Sequence, residues 1–288
     1  MTLRTKAIAR AVAIVALGVV NGVVLYQLLT PSPQLLKVAF LDVGQGDAVF
    51  IEGPTGIQIL VDGGPDRAVV REIPKLTGPL DRGIDLIVMT HPDKDHIAGL
   101  PDVFEKYRVA KIMSPNLAGD TDTYGRLVAS IEKEAELEAY IARRGQRIHL
   151  GGGAYADVLY PDKDVSHLRV TNDASVVLHV VYGNTSFLLT GDLPSTIEEE
   201  LVRELSPESL ASTVLKAGHH GSKYSTSGAW LAAVSPDTVI ISAGKGNTYG
   251  HPAPEVIGRI QKSGARVVST IEEGTIVFES DGVRVVQR

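Results

Sequence analysis

The amino-acid sequence predicts an α+β protein, two similar sheet-and-helix halves behind one N-terminal apolar segment. Three observations predict it. Residues 11–29 form an apolar run about as long as one bilayer span. After the Pro-Ser-Pro at 31–33 the pattern changes to short apolar strands broken by Gly, Asp and Pro. Finally, two charged stretches carry apolar residues near helical spacing, one in each half.

The first segment, "MTLRTKAIARAVAIVALGVVNGVVLYQLLTPSP", sets Arg4, Lys6 and Arg10 before the run from Ala11 to Leu29, which only Asn21 and Gln27 interrupt. Basic residues on one side predict a cytoplasmic tail (1–10), a transmembrane anchor (11–29), a linker (30–36) and a domain (37–288) facing outward. A cleaved signal peptide is the competing reading, but the run is long for one and "LLTPSPQ" lacks a small-x-small cleavage site. A buried core helix fits less well, because the run has no polar face.

Within the domain, "LLKVAFLDV", "DAVFIEG" and "GIQILVDGG" read as consecutive antiparallel strands. "IDLIVMT" does not alternate, as expected of a strand covered on both faces, and it delivers His91 at its end. Residues 124–144 are expected to form a surface helix. "ASVVLHVVYGNTSFLLTGD" reads as a hairpin turning at Gly-Asn, with a helix over 197–205 and strands in "STVLKAGHH" and "DTVIISAG".

Composition limits the chemistry. With 288 residues, 44% of them hydrophobic and 22% charged, the chain can bury a substantial core. A net charge of -6 excludes a broadly basic nucleic-acid surface, so a phosphate backbone would need a local basic or metal-lined groove. The chain has no cysteine, which excludes disulfides, thiolate metal sites and cysteine nucleophiles. Any metal must rest on nitrogen and oxygen.

"THPDKDHIAG" gathers such ligands. In an extended stretch His91 and Asp93 share a side, and a turn at Lys94 aims Asp95 and His96 at a neighbouring point, so one loop can serve two metal ions. Capping of a helix by Asp93 or Asp95 is the bland alternative. Against it stand "LVDGG", "LTGD" and "GHHGS", each ending an apolar run with residues that bind ions or admit close backbone approach. Asp192 of "LTGD" can bridge two ions. His149, His167 and His179 have no ligand partner nearby and are expected to be structural.

In the order of these motifs the sequence resembles the metallo-β-lactamase fold superfamily, from about Lys37 to the C-terminus. "FLDVGQGDAVFIE", "NDASVVL", "LKAGHHGSKYSTS" and "GNTYGHPAPEVI" further resemble the extracytoplasmic hydrolase domain of ComEC-type competence proteins, here as a stand-alone version with one candidate span. The resemblance implies an αββα sandwich with the metal site along one edge. It also implies that His91 and Asp93 hold one ion, Asp95 and His96 the second, that Asp192 bridges, and that Asp62 orients the metal loop. The family's middle histidine is missing, leaving Asn172 or Asp173 of "TNDAS" as a substitute. One of His219 and His220 is implied as a ligand, its neighbour contacting phosphate or protonating a leaving group. His251 is either the last ligand or a supporting group behind it.

With Asp93 where the superfamily commonly has His, the two divalent ions, zinc or manganese, meet an oxygen-rich set, which predicts weak zinc selectivity and good activity with manganese. Asp95, His219, His220 and Ser222 are the candidate catalytic residues. Lys223, Ser225 and Thr226 stand nearby or form an ordinary polar loop. Gly44, Gln45 and Gly46 form a tight turn, with Asp47 near the site or capping that turn. Three functions follow: a membrane-anchored phosphodiesterase cutting DNA, beside a separate DNA-channel protein; a hydrolase of another phosphodiester or ester, such as a wall-polymer or phosphocholine substituent; or a noncatalytic, metal-stabilised partner of a competence or secretion complex.

Overall fold

The computed structural model describes residues 5, 10, 12–22 and 34–288. The chain divides into two units, Met1–Gln34 and Leu35–Arg288. In the first, residues 12–22 are helical, and Val12, Ile14, Val15, Leu17, Val19 and Val20 are exposed. Among the described residues no helix is long and apolar enough to cross a membrane. Residue 11 and residues 23–29 of the expected span lie outside the described residues.

The second unit is built on strands β1 (Leu36–Phe40), β2 (Val49–Glu52), β3 (Gln58–Val61), β4 (Gly83–Ile84), β5 (Leu86–Val88), β6 (Arg108–Val109), β7 (Lys111–Ser114) and β8 (Glu138–Ile141). They are followed by β9 (Arg147–Gly151), β10 (Ala154–Tyr160), β11 (Val177–Tyr182), β12 (Thr185–Leu189), β13 (Val214–Lys216), β14 (Thr238–Ile241), β15 (Arg266–Ser269), β16 (Ile276–Ser280) and β17 (Val285–Gln287). One sheet runs β17-β16-β1-β2-β3-β5-β7-β8 and the other β15-β14-β13-β12-β11-β10-β9. β4 and β6 form a small parallel pair.

Side-chain alternation makes the layers. In β1, Leu36, Val38 and Phe40 join Leu178, Val180, Phe187 and Leu189 of β11 and β12 in one core between the sheets. Ala39 and Leu41 point the other way, toward Val69, Ile73, Leu100, Val103 and Leu127 of the helices Val69–Thr77, Leu100–Lys106 and Asp122–Ile131. On the far side Leu188 and Leu215 pack with Leu201, Trp230 and Val256 of the helices Ser195–Glu204, Gly228–Val234 and Pro254–Ser263. The order of layers is therefore αββα, and the apolar runs do not alternate because both faces of each strand are covered. Phe278 joins the sheets at the centre, its ring 6.2 Å from Phe40 and 6.1 Å from Phe187 in edge-on contacts. Each such contact adds about 0.5–1.5 kcal/mol to the burial itself.

The structure corrects two expectations. The helix expected over 124–144 ends at Ile131, and Glu138–Ile141 instead forms β8, parallel to β7. Of the charged residues that suggested a solvated helix face, Glu138 lies on β8 and is exposed because that strand is the sheet's edge. The two halves are also not separate sheets in sequence. β16 returns to pair antiparallel with β1, covering what would otherwise be an open edge. β1 starts at Leu36, the last residue of the expected linker 30–36, and residues 30–33 lie outside the described residues.

Candidate metal centre

β3 and β5 in one sheet, and β12, β13 and β14 in the other, run parallel within their sheets. Their carboxyl ends carry Asp62, Thr90–His91, Asp192, His219–His220 and Ser242, and this rim holds the centre. The metal loop leaves β5, passes His91 and Asp93, and turns into the short helix Lys94–Ile97. Asp93 occupies its N-cap position, but its side chain accepts no cap hydrogen bond, so capping does not explain it.

Behind the loop, Asp62 takes the left-handed conformation, φ 60°, and is fully buried. Its Oδ1 accepts from the Thr90 amide at 2.8 Å, and its Oδ2 lies 2.7 Å from the Thr90 hydroxyl and 2.8 Å from His96 Nδ1. The Thr90 hydroxyl donates to Asp62 and therefore accepts from His91 Nδ1, 2.9 Å away. Both imidazoles thus carry a proton on Nδ1 and turn Nε2 inward.

Asp192 receives them. His96 Nε2 is 3.3 Å from its Oδ1, and His220, His219 and His91 present Nε2 to its Oδ2 at 3.4, 3.6 and 3.9 Å. His220 Nε2 also meets Asp95 at 3.2 Å, while its Nδ1 lies 3.0 Å from the Ser242 carbonyl. Asp93 stands 3.7 Å from His91 Nε2. Burial lowers His91 to about 3, since no carboxylate is bonded to its ring. Burial acts against the proton on His96 and His220 as well, but Asp192, with Asp62 on one ring and Asp47 on the other, outweighs it and raises both well above the ordinary value. Asp192 itself is held well below the carboxylate range by these two rings, against the effect of burial.

This arrangement fits divalent ions. Asp47 Oδ1, His91 Nε2, His96 Nε2, Asp192 Oδ1 and His220 Nε2 are buried and have no hydrogen-bond partner. Native interiors rarely leave such atoms unpaired, and here they converge. His91, His96 and Asp192 form one candidate ligand group and Asp95, His96 and His220 another, with ligand atoms in each within 4.8 Å. The donors are imidazole nitrogen and carboxylate oxygen, the set that suits zinc and manganese.

Three sequence-predicted residues, Asn172, His251 and Ser222, fall elsewhere. Asn172, in the 3-10 turn Thr171–Ala174, sets its amide nitrogen 3.2 Å from His219 Nδ1 and so braces that ring instead of joining the carboxylates. His219 is the more exposed of the histidine pair and His220 the buried one, because both take left-handed backbone, φ 47° and 55°, and their side chains diverge. His251 lies one ring further out, 5.4 Å from His219, outside the candidate ligand groups. Ser222 is buried, and its hydroxyl accepts from the Tyr224 amide at 3.4 Å, a turn contact rather than a place on the carboxylates. His149, His167 and His179 are also outside those groups.

Lys216 was missed by sequence reasoning. Fully buried at the end of β13, its Nζ lies 2.6 Å from Asp47 Oδ2 and donates to the Gly191 and Ala217 carbonyls at 2.9 and 3.1 Å. One ammonium thus ties the loop of Asp47 to those of Asp192 and His219–His220. Lys216 and His220 hold Asp47 below the carboxylate range although burial opposes them. A charge inside the apolar run "STVLKAG" was the available signal.

The sequence pattern of the metallo-beta-lactamase superfamily matches residues 41–245. ComE operon protein 3 of Bacillus subtilis (strain 168) is 30% identical over 260 residues, 84% of this chain and 33% of that protein. Competence protein ComA of Neisseria gonorrhoeae is 30% identical over 244 residues, 84% of this chain and 32% of that one. The chain spans about a third of the length of these relatives. Among solved structures, the metallo-beta-lactamase fold protein YhfI from Bacillus subtilis superposes with a TM-score of 0.53 over 84% of this chain and 98% of its own, at 12% identity. That likeness is one of fold.

Proposed function

Because the chain belongs to the metallo-beta-lactamase superfamily and is similar to part of ComEC-type competence proteins, we propose that it is a metal-dependent phosphodiesterase that cuts DNA outside the cytoplasmic membrane. The observation that carries this is the convergence of five unpartnered buried polar atoms at the carboxyl ends of both sheets. When bound, two divalent ions supply the charge that acidifies an attacking water and neutralises a phosphate oxygen. His91, Asp93, Asp95, His96, Asp192 and His220 are the residues that would hold them.

The protein's own residues do the rest. Asp62 and Thr90 fix the ring tautomers of His91 and His96. Asn172, donating to His219 Nδ1, leaves the proton of a neutral His219 on Nε2, which faces the centre. His219 is then the residue to donate to a phosphate oxygen or a departing alkoxide. The oxygen-rich set favours manganese. Arg4, Lys6 and Arg10 before the apolar run support an anchor with the hydrolase unit outside, and the relatives' competence names support a role in DNA uptake. A net charge of -6 favours the second reading, a smaller phosphodiester or ester.

The test uses the full chain in detergent, stripped of metal and reloaded with manganese, zinc or magnesium. It is offered labelled single- and double-stranded DNA and bis(p-nitrophenyl) phosphate. We expect DNA cutting, strongest with manganese and reduced to background by Asp95→Ala or Asp192→Ala. Cleavage of the small diester alone would support the second reading, and a folded, metal-loaded protein without turnover would point to a noncatalytic partner.

A further inference from the structure

The aromatic side chains of this protein are kept inside, with few exceptions. Among the described residues no Phe or Trp is exposed, and the exposed tyrosines are Tyr140, Tyr224 and Tyr249. Tyr140 lies on edge strand β8. The other two, 66% and 69% exposed, sit on the loops that carry His219–His220 and His251. The loops are joined, since the Gly221 carbonyl accepts from the Ala253 amide at 2.9 Å and a Cβ on Gly221 would fall 2.8 Å from Pro252.

Charge on these loops departs from that of the chain. The protein has 34 acidic and 28 basic residues, yet residues 218–234 and 242–254 contain no Asp or Glu. They do contain Lys223 and Lys245, both exposed. The Lys223 ammonium lies 5.0 Å from the Tyr224 ring centroid.

Tyr249 is also held in place and connected to the centre. Asn247 donates to the Gly244 and His251 carbonyls at 2.9 and 2.6 Å, and accepts from the Tyr249 and His251 amides at 3.2 and 3.1 Å. The Tyr249 ring stands nearly parallel to His251, at 17° and 6.0 Å, and His251 stands 5.4 Å from His219. A row of rings therefore leads from the carboxylates to solvent and ends on an exposed aromatic face. A loop whose backbone is already fixed loses less freedom when a ligand binds on it.

Resting on the phosphodiesterase reading, we propose that Tyr249, with Tyr224, stacks unpaired bases beside the scissile phosphate while Lys223 and Lys245 take neighbouring phosphates. The preferred substrate is then a single-stranded or frayed polynucleotide. Aromatic faces hold any base by stacking, whereas bases inside a duplex are already stacked on one another. Charge complementarity selects this occupant, since two exposed lysines that form no ion pair among the described residues match a phosphate chain.

The experiment compares kcat/KM of the metal-loaded full chain on a single-stranded oligonucleotide, on an abasic oligonucleotide of equal length, and on the interior of a closed duplex. Wild type should prefer the base-bearing strand by roughly tenfold, the effect of about one stacked base. Tyr249→Ala should erase that preference and Tyr249→Trp should retain it. Equal rates on base-bearing and abasic strands, equal rates on duplex interior and single strand, or a preference untouched by Tyr249→Ala would each overturn the stacking proposal and leave the phosphodiesterase reading standing. Turnover of bis(p-nitrophenyl) phosphate without any polynucleotide cleavage would overturn the DNA reading as well. Loss of binding to anionic lipid vesicles in Tyr249→Ala, with the strand preference intact, would reassign the rim to a membrane surface.

Discussion

Thr90 contributes one hydroxyl, and that hydroxyl fixes the tautomer of His91 by donating its hydrogen bond to Asp62, which also holds His96. Asp62→Asn keeps the shape of this relay but removes the charge that makes Nδ1 the donor. Metal affinity should fall about 10- to 100-fold, measured by competition with a chromogenic chelator; unchanged affinity would refute the orienting role. Lys216 makes a different prediction. It is buried with Asp47, and removing one partner of a buried pair costs about 3–5 kcal/mol because the other charge is stranded. Lys216→Met should therefore lower metal-free stability by about that much in urea unfolding, and Asp47→Asn added to it should recover part of the loss. Equal, additive losses would rule out coupling between the two. These residues also show what was legible. The metal loop and Asp192 could be named because histidine and aspartate at strand ends are unusual; Thr90 could not, because a threonine becomes informative only when both of its neighbours in space are known.

At the scale of elements, the centre depends on loops packed more closely than side chains permit. The Asp47 amide donates to the Asp95 carbonyl at 3.3 Å, Gly64 to Asp47 at 2.8 Å and Gly63 to His96 at 2.6 Å. A Cβ on Gly46 would fall 2.1 Å from the Asp95 carbonyl oxygen, and Gly46 has φ 136°, a conformation unsuited to other residues. Gly46→Ala should push the Asp95 loop outward at a cost of about 1–3 kcal/mol, by analogy with overpacking. Its metal affinity should fall while far-UV circular dichroism is retained, and wild-type affinity in that variant would sink the argument. The strands at the core were readable from their apolar runs, as was the Gly-Asn hairpin, where Gly183 has φ 57°. β8 was not, because "ELEAYIARR" offers the same mixture of charge and apolar residues to a helix surface and to an edge strand. Pairing with β7 decides between them, and that pairing is a contact across residues 115–137 which local periodicity does not contain.

At the scale of the whole molecule, the N-terminal segment and the hydrolase unit make separate predictions. Arg4, Lys6 and Arg10 followed by the apolar run predict that the full-length protein sediments with membranes, resists a high-salt wash and is released by detergent. Recovery of an intact chain in the soluble fraction would contradict the anchor, and a shortened soluble chain would favour a cleaved signal. The hydrolase unit answers to metal. Asp62 and Asp192 are buried with Asp95 beside them, Lys216 already serves Asp47, and the remaining positive charge must come from imidazole protons or from bound ions. Ions that bind only the folded chain stabilise it by mass action, about 2.7 kcal/mol each at a hundredfold excess over Kd. For a domain of this size about 1 kcal/mol moves Tm by about 2–4 °C, so two ions should raise it by about 10–20 °C. Chelation followed by titration with manganese, read by scanning calorimetry beside DNA cleavage in the same samples, separates the remaining functions. If Tm and cleavage recover together, the ions serve chemistry on a site that they also hold in shape. If Tm recovers and no substrate is cut, the ions serve structure alone, and an unchanged Tm throughout would mean that the unpartnered atoms of the centre do not bind metal.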